Sequence, residues 1–355
     1  IGVLGENRPK WGVSYLAVQR MGGIVVPLDS MMSETEIHHI ITESQVKAVL
    51  ATDKFLDTVI ESDRPGLRII DIDDGSRPDI LNFSDVLLQS DEEIPEFPEI
   101  SLDDTAAIIF TSGTTGYSKG VVLTQRNIAS NIAAVYQIID LTPENNLVSV
   151  LPLHHTFECT AGFLFPLYAG CTITYARSLK SRELLEDIKN TQATLMVGVP
   201  LLFEKMYAGI NRKLRKLPLV RKTLVNLMYQ TSRGAMKIGK REVGVTLFKS
   251  LREKAGLDSV NHFVSGGAAL PAYIPEFFNA LGIRLYQGYG LTETSPVLAA
   301  NPPHAPRHRS VGLPLPGVEI KIIDKDEYGV GEIAARGPNI FREYFNNHGE
   351  TDTVI

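Results

Sequence analysis

Strand-like and helix-like segments alternate through the first hundred residues, and no other feature narrows the possible folds as much. The run "IGVLG" leads, past Pro9, into a helical stretch over Lys10–Met21 and then the strand "GIVVPLD". Ser33 and Glu36 have capping-box spacing ahead of "IHHIITES". The strand "VKAVLAT", a short helix over Lys54–Glu61 and the strand "LRIIDID" complete the series. Parallel strands joined through helices cross over right-handedly, so this order predicts a doubly wound parallel sheet. The segment Asp73–Leu102 is acidic and Pro-containing and reads as a surface connection. Beyond it come "TAAIIF", a helix over Thr124–Ile139, and the strands "NLVSVLPL", "CTITYA" and "ATLMVGVP". After these follow "HFVSGGA", a helix over Pro271–Leu281 and "IRLYQGYG". From Asn301 onward, short strands between Gly and Pro turns indicate a small antiparallel unit. The expected fold is α/β: two doubly wound, mainly parallel sheets with flanking helices, plus the start of a small antiparallel β-barrel subdomain. The expected units are 1–140, 141–300 with a helical insertion at 205–254, and 301–355. At 355 residues the chain is too long for one ordinary core, in keeping with that division.

Charge is distributed unevenly. Of the 35 Lys and Arg residues, 14 fall between Lys205 and Lys254, with only Glu242 and Glu253 against them, although the whole chain is at −6. The block suits an anionic partner or, equally, a solvated helical insertion. Two cysteines are too few for a disulfide framework, so a reduced, cytoplasmic setting is expected. Residues 159–176 carry no charge and are just long enough to span a bilayer. Gly162, Pro166 and Gly170 interrupt them, and the expectation is a buried helix leading into a buried strand. Ile1 opens directly on a strand and "FNNHGETDTVI" ends without a helix or cap, so both ends look cut.

The segment Phe110–Gly120, FTSGTTGYSKG, carries the strongest chemical signal. Following a strand and preceding a helix, it predicts a βα loop whose glycines admit an anion to the backbone. Thr111, Ser112, Thr114 and Thr115 supply hydroxyl donors and Lys119 supplies charge. Ser118 before the lysine and Gly120 after it exclude the Walker A pattern. In YQGYGLTETSP (Tyr286–Pro296), an aromatic at a strand end can stack on a base and a carboxylate can hold Mg²⁺ against phosphate. The same residues also suit a tight turn with a helix cap. VSGGAAL (Val264–Leu270) allows close backbone approach of a ligand, or a plain helix-entry turn.

Taken in order, FTSGTTGxxKG, SGGAAL, YQGYGLTETSP, GLPLPGVEI and GEIAARGP resemble the acyl-adenylate-forming superfamily, over essentially the whole chain. The resemblance implies that Thr111, Ser112, Gly113, Thr114, Thr115, Gly116 and Lys119 bind the β- and γ-phosphates of ATP. It implies that Ser265, Gly266, Gly267 and Ala268 wrap adenine, with Tyr289 stacked on it amid Gln287, Gly288 and Gly290. Thr292 would meet the α-phosphate and Glu293 would hold Mg²⁺. "LPLHHTFE" resembles the border of the acyl pocket, which makes His155 and Phe157 substrate candidates. His155 is not expected to ligate metal, because no partner sits at ligand spacing and His154 should point elsewhere.

The chain departs from the family at Ser118, where a proline is usual. The ribose-binding aspartate, hinge and small C-terminal domain of the family would follow Ile355, so the chain alone is expected to adenylate poorly. The basic insertion resembles that of long-chain fatty acyl-CoA synthetases. This implies a fatty acid, ATP and CoA as substrates, with another acid–CoA or acyl-carrier-protein ligase as the alternative. A non-catalytic nucleotide-binding fragment is the alternative of another class. A basic amphipathic surface also suits contact with anionic lipid at the inner face of a membrane. No nucleic-acid partner is expected, and oligomeric state is open.

Overall fold

The computed structural model describes residues 1–62, 64–75, 77–88, 96–112, 118–303 and 306–355, without the Ser112 side chain. The N-terminal part contains β1 (Gly2–Leu4), α1 (Pro9–Arg20), β2 (Val26–Leu28), α2 (Glu34–Glu43), β3 (Ala48–Ala51), α3 (Leu56–Ile60), β4 (Arg68–Asp71), β5 (Leu81–Asn82) and α4 (Phe83–Leu88). Its five strands form one parallel sheet in the order β2-β1-β3-β4-β5. Local sequence accounts for the helix starts. Pro9 sits in the first turn of α1, where no amide partner is lost. Ser33 and Glu36 close the capping box of α2, a device worth about 1 kcal/mol. The stretch read as a bare surface connection holds β5 and α4. Leu81 and Asn82 extend the sheet at its edge, where two residues of pairing suffice.

Next come β6 (Thr105–Ser112), β7 (Ser118–Thr124) and α5 (Gln125–Tyr136). This corrects the expected loop context. Thr111 pairs with Lys119 and Ser112 with Ser118 in an antiparallel ladder, so the loop joins two strands rather than a strand and a helix. Val121, Val122 and Leu123 favour extended backbone and are buried, which postpones the helix to Gln125, capped by Thr124.

The rest of the chain holds β8 (Asn146–Ser149), α6 (Thr156–Glu158), α7 (Phe165–Tyr168), β9 (Thr172–Tyr175), α8 (Ser181–Asn190), β10 (Leu195–Gly198), α9 (Pro200–Arg215) and α10 (Leu219–Lys237). Then follow α11 (Glu242–Leu247), α12 (Lys249–Ala255), β11 (His262–Ser265), α13 (Tyr273–Ala280), β12 (Arg284–Gly290), β13 (Val297–Ala300) and β14 (Leu313–Pro314). The second sheet runs β14-β13-β12-β11-β10-β8-β9, parallel from β9 to β12 and antiparallel beyond. The strand expected to be buried, β9, is instead a half-exposed edge, since among the described residues only β8 pairs with it. A π-helical turn, Cys159–Leu164, and α7 precede it. Among the described residues no helix is long and apolar enough to cross a membrane.

Two small antiparallel sheets complete the fold. One pairs β15 (Glu319–Ile323) with β16 (Glu332–Arg336); the other orders β17 (Glu343–Tyr344), β7 and β6. The chain end is not bare, because Asn347 caps the short helix α14 (His348–Thr351). Apolar packing joins the layers: Trp11 and Tyr15 of α1 meet Phe163 edge-on within one buried cluster.

Candidate functional site

The parallel strands β8, β10, β11 and β12 all present their carboxyl ends on one side, where open α/β sheets take ligands. A cleft of about 580 Å³ opens there, within the usual range for small-molecule sites. It is lined by Thr111 at the end of β6, by the 151–158 loop, by Gly266 and Gly267 after β11, and by Gly288–Glu293 after β12.

Of the residues singled out from sequence, Thr111, His155, Phe157, Gly266, Gly267, Gly288, Tyr289, Gly290, Thr292 and Glu293 all line this one cleft. Gly113, Thr114, Thr115 and Gly116 lie outside the described residues. Ser265 is fully buried with a hydroxyl unpartnered among the described residues, Ala268 is exposed, and neither borders the cleft. Gln287 lines a separate apolar cavity of about 40 Å³, which shares Phe157, Gly288 and Val297 with the cleft. Lys119 turns to Glu350, 2.5 Å from its Nζ, over the ring of Tyr344.

Two glycines are required by close approach. A Cβ on Gly290 would come within 1.7 Å of the Pro296 carbonyl oxygen, and one on Gly266 would meet the Phe157 ring at 2.7 Å. The first lets β12 fold back tightly before Thr292, and the second seats Phe157 against the β11 turn.

The segment Thr292–Val297 is held from three sides. The Asn131 amide on α5 donates to the carbonyls of Val297 (2.7 Å) and Thr294 (3.3 Å). The Asn339 amide donates to the same two, at 3.2 and 2.9 Å. The Tyr344 hydroxyl donates to Glu293 Oε1 at 2.8 Å, and burial followed by this bond raises the Tyr344 pKa. One carboxylate oxygen of Glu293 is thereby fixed, while the residue still faces the cleft.

The opposite wall is anchored just as firmly. Asn7, after β1, donates to the Leu151 carbonyl (2.6 Å) and accepts from the Leu153 amide (2.9 Å). Glu158 is fully buried and accepts from the Ser149 hydroxyl. Burial pushes its pKa up to about 8, only partly offset by Ser149 and the Leu151 and Val150 amides, so the carboxyl is largely protonated near neutrality. Cys159 beside it is no nucleophile, since burial lifts its thiol to about 12.

The expectation that His154 points away from His155 is overturned. The imidazoles lie against each other with centroids 4.3 Å apart and planes tilted by 50°, and their ligand-type atoms lie within 4.8 Å of each other and of an Asp29 carboxylate oxygen. The turn Pro152–His155 brings both rings to one side. Burial, followed by the His155 charge, lowers His154 to about 4, so it is neutral above that pH with Asp29 3.1 Å from Nε2.

Sequence reasoning missed Asn7, Asp29, Asn131, Glu158, Asn339 and Tyr344. Only the pair Asn127 and Asn131 left a signal: two amides four residues apart on the buried face of α5, where apolar residues are the norm. Asn127 donates to the Pro338 and Ile340 carbonyls.

Comparison with known proteins gives a consistent picture. The AMP-binding profile, described as AMP-binding enzyme, matches residues 1–345. The chain is 28% identical to the peroxisomal long chain acyl-CoA synthetase 6 of Arabidopsis thaliana, covering all of this chain and 54% of that protein. It is 26% identical to a chloroplastic long-chain-fatty-acid–[acyl-carrier-protein] ligase of the same plant, covering 57% of it. The chain thus spans about half the length of these curated relatives. Among solved structures, a malonyl-CoA ligase in a ternary product complex with methylmalonyl-CoA and AMP superposes with a TM-score of 0.73 at 26% identity. That match covers 99% of this chain and 65% of the other.

Proposed function

Because the chain belongs to the AMP-binding enzyme family, we propose that it forms the nucleotide- and acid-binding body of an AMP-forming acid–thiol ligase acting on long-chain fatty acids. The observation that carries this reading is the convergence of three separate motifs on one cleft. Thr111, Gly266–Gly267 and Tyr289–Glu293 are far apart in sequence and meet at the strand ends.

In the first step a carboxylate oxygen attacks the α-phosphorus of ATP, the new O–P bond forms and pyrophosphate departs with the electron pair of the broken bond. This chain's residues act by position. Tyr289, half-buried at the cleft wall, offers its ring to adenine, and Gly266 and Gly267 admit the base to the backbone. The Thr292 hydroxyl donates to the α-phosphate. Thr111 and the loop after it take the β- and γ-phosphates. Lys119 joins them once its pair with Glu350 opens, an exchange of one anion for a more highly charged one. Glu293 fits a magnesium ion: one oxygen is oriented by Tyr344, and the other is free among the described residues. Bound there, Mg²⁺ would neutralise charge on the departing phosphates. The fixed segment Thr292–Val297 keeps these donors in place without reorganisation as charge develops.

The acyl chain follows from Phe157. Its ring separates the cleft from the enclosed apolar cavity, walled by Ile138, Ile139, Phe165 and Val264 among others. At about 40 Å³ that cavity admits no chain as it stands, so rotation of Phe157 and widening of the cavity accompany acid binding. CoA is the proposed thiol acceptor. The acyl-carrier-protein relative supports carrier protein as the second reading. On the outer face of α10, Leu219, Val220 and Leu227 are exposed, as is Lys222, which supports contact of 205–254 with anionic membrane lipid.

Acid-dependent exchange of pyrophosphate into ATP by the full protein tests the first step. Exchange should appear with long-chain fatty acids, and none with any carboxylate would return the chain to a non-catalytic nucleotide binder. Product analysis with CoA against carrier protein separates the two acceptors.

A further inference from the structure

A second cavity of about 580 Å³ lies in the helical insertion and shares no lining residue with the cleft. Its walls come from α9, the N-terminal half of α10, and α12, with Met206, Ile210, Leu224, Met228 and Leu251 among the side chains. Three cations, Lys213, Arg221 and Lys254, also line it, and no acidic residue does. All three are exposed, and among the described residues none has an ion-pair partner or a side-chain hydrogen bond. The neighbouring basic residues are used otherwise. Arg233 pairs with Glu276, and Arg252 is buried against the carbonyls of Val245 and Gly282.

This combination is selective. An apolar groove inside a helical layer ordinarily closes by side-chain packing, yet here Leu224 stays 55% exposed at its edge. Two methionines give it walls that adapt to a flexible chain. Unpaired cations at the mouth of an acid-free apolar groove complement a ligand with one anionic head and one long apolar tail. The C-terminal half of α10 is fastened by polar contacts, the Ser232 hydroxyl donating to the Ala280 carbonyl and Arg233 meeting Glu276. Its N-terminal half is held by apolar side chains, Val225 and Met228, whose packing adjusts more readily to an occupant than a fixed polar contact does.

We propose that the groove between α9, α10 and α12 binds one molecule of a single-chain carboxylate amphiphile, a long-chain fatty acid, at a site separate from the cleft. The chain lies along Met206, Ile210, Met228 and Leu251, and the carboxylate is met by Lys213, Arg221 and Lys254. The volume, within the range of roughly 300–1,000 Å³ for small-molecule sites, suits one chain. The site does not depend on what the cleft turns over, because the two share no residue.

Photolabelling with a palmitate analogue that carries a diazirine in its chain, below its micellar concentration and without nucleotide, tests this. Labelled peptides should map to α9, α10 and α12, and unlabelled palmitate should protect them. The double variant Arg221→Glu, Lys254→Glu changes only exposed side chains. It should lower groove labelling about tenfold or more while leaving any labelling of the 151–158 loop unchanged. A second variant, Leu224→Asp, should do the same by placing an anion at the groove edge. Labelling confined to the cleft would overturn the proposal, as would groove labelling indifferent to both variants. So would equal labelling by the neutral alcohol analogue, or protection by vesicles of two-chain anionic phospholipid but not by free palmitate.

Discussion

Around Thr292–Val297, two amides and a phenol from distant parts of the chain converge on one short segment, and Asn131 and Asn339 are at most 1% exposed. In α10 the opposite holds. Leu219, Val220 and Leu227 are 78, 81 and 63% exposed, and Ser232 is the buried residue of the helix. The first region gives its polar groups fixed partners and holds still. The second leaves apolar surface exposed and, among the described residues, cations such as Arg221 and Lys222 without ion-pair partners. A site that must stabilise developing charge needs the former, because reorganisation during the reaction would spend the gain. A surface that meets flexible apolar ligands tolerates the latter.

The largest effect that would sharpen this contrast is expected at Glu158. Its folded pKa of about 8 lies above the ordinary 4.5, so its contribution to stability is fully present below pH 4.5 and is lost as pH rises through 8. His154 runs the other way: with its pKa lowered from 6.5 to about 4, its contribution is present above 6.5 and lost as pH falls through 4. Glu158→Gln keeps an acceptor for Ser149 and removes the ionisation. Denaturant melts should find the variant more stable than the parent at pH 9, by on the order of 3–5 kcal/mol, and equal to it near pH 4. An unchanged difference across that range would contradict a protonated Glu158.

Next in size, Glu293→Gln in the full protein should reduce acid-dependent pyrophosphate exchange by about 10²–10³-fold with little change in melting temperature. Loss of folding instead of activity would make Glu293 a structural residue. Asn131→Ala leaves the Val297 and Thr294 carbonyls with Asn339 alone and should cost about 1–3 kcal/mol. The cycle with Asn339→Ala should be non-additive, because the two amides share both acceptors. Additive losses would mean that the junction is not one network. The smallest effect belongs to the insertion. Leu227→Ser should change stability by no more than about 0.5 kcal/mol. It should nevertheless weaken cosedimentation with anionic vesicles, which itself should fade with added salt. Salt-independent binding would remove the electrostatic part of the account.

What the sequence made legible follows from range. Val- and Ile-rich runs bounded by Gly and Pro announce strands whatever lies elsewhere, and the glycines of SGGAAL and YQGYG mark close approach locally. Those signals yielded the two mainly parallel sheets, while the resemblance of whole motifs to a known family pointed to the residues that line the cleft. The hairpin at Thr111–Lys119 was missed because the loop motif looked like a strand-to-helix turn, and nothing in it reveals that Val121–Leu123 pair backwards onto β6. The supporting residues were missed for a related reason. Asn131 meets carbonyls 163 and 166 residues away, and Tyr344 meets Glu293 across 51. An isolated Asn or Tyr carries no trace of such a partner. Asp29 and His154 show the same limit, since two groups 125 positions apart in the chain end 3.1 Å apart.

The central claim is that the strand-end cleft is a single nucleotide site reaching from Thr111 to Tyr289. Calorimetric titration of this chain with ATP and magnesium tests it most directly. One saturable site is predicted. Tyr289→Ala, which removes base stacking worth about 1–3 kcal/mol, should weaken it roughly tenfold. The insertion variant Arg221→Glu, Lys254→Glu should bind ATP as the parent does. No saturable binding, or an affinity untouched by Tyr289→Ala and diminished by the insertion variant, would contradict the account.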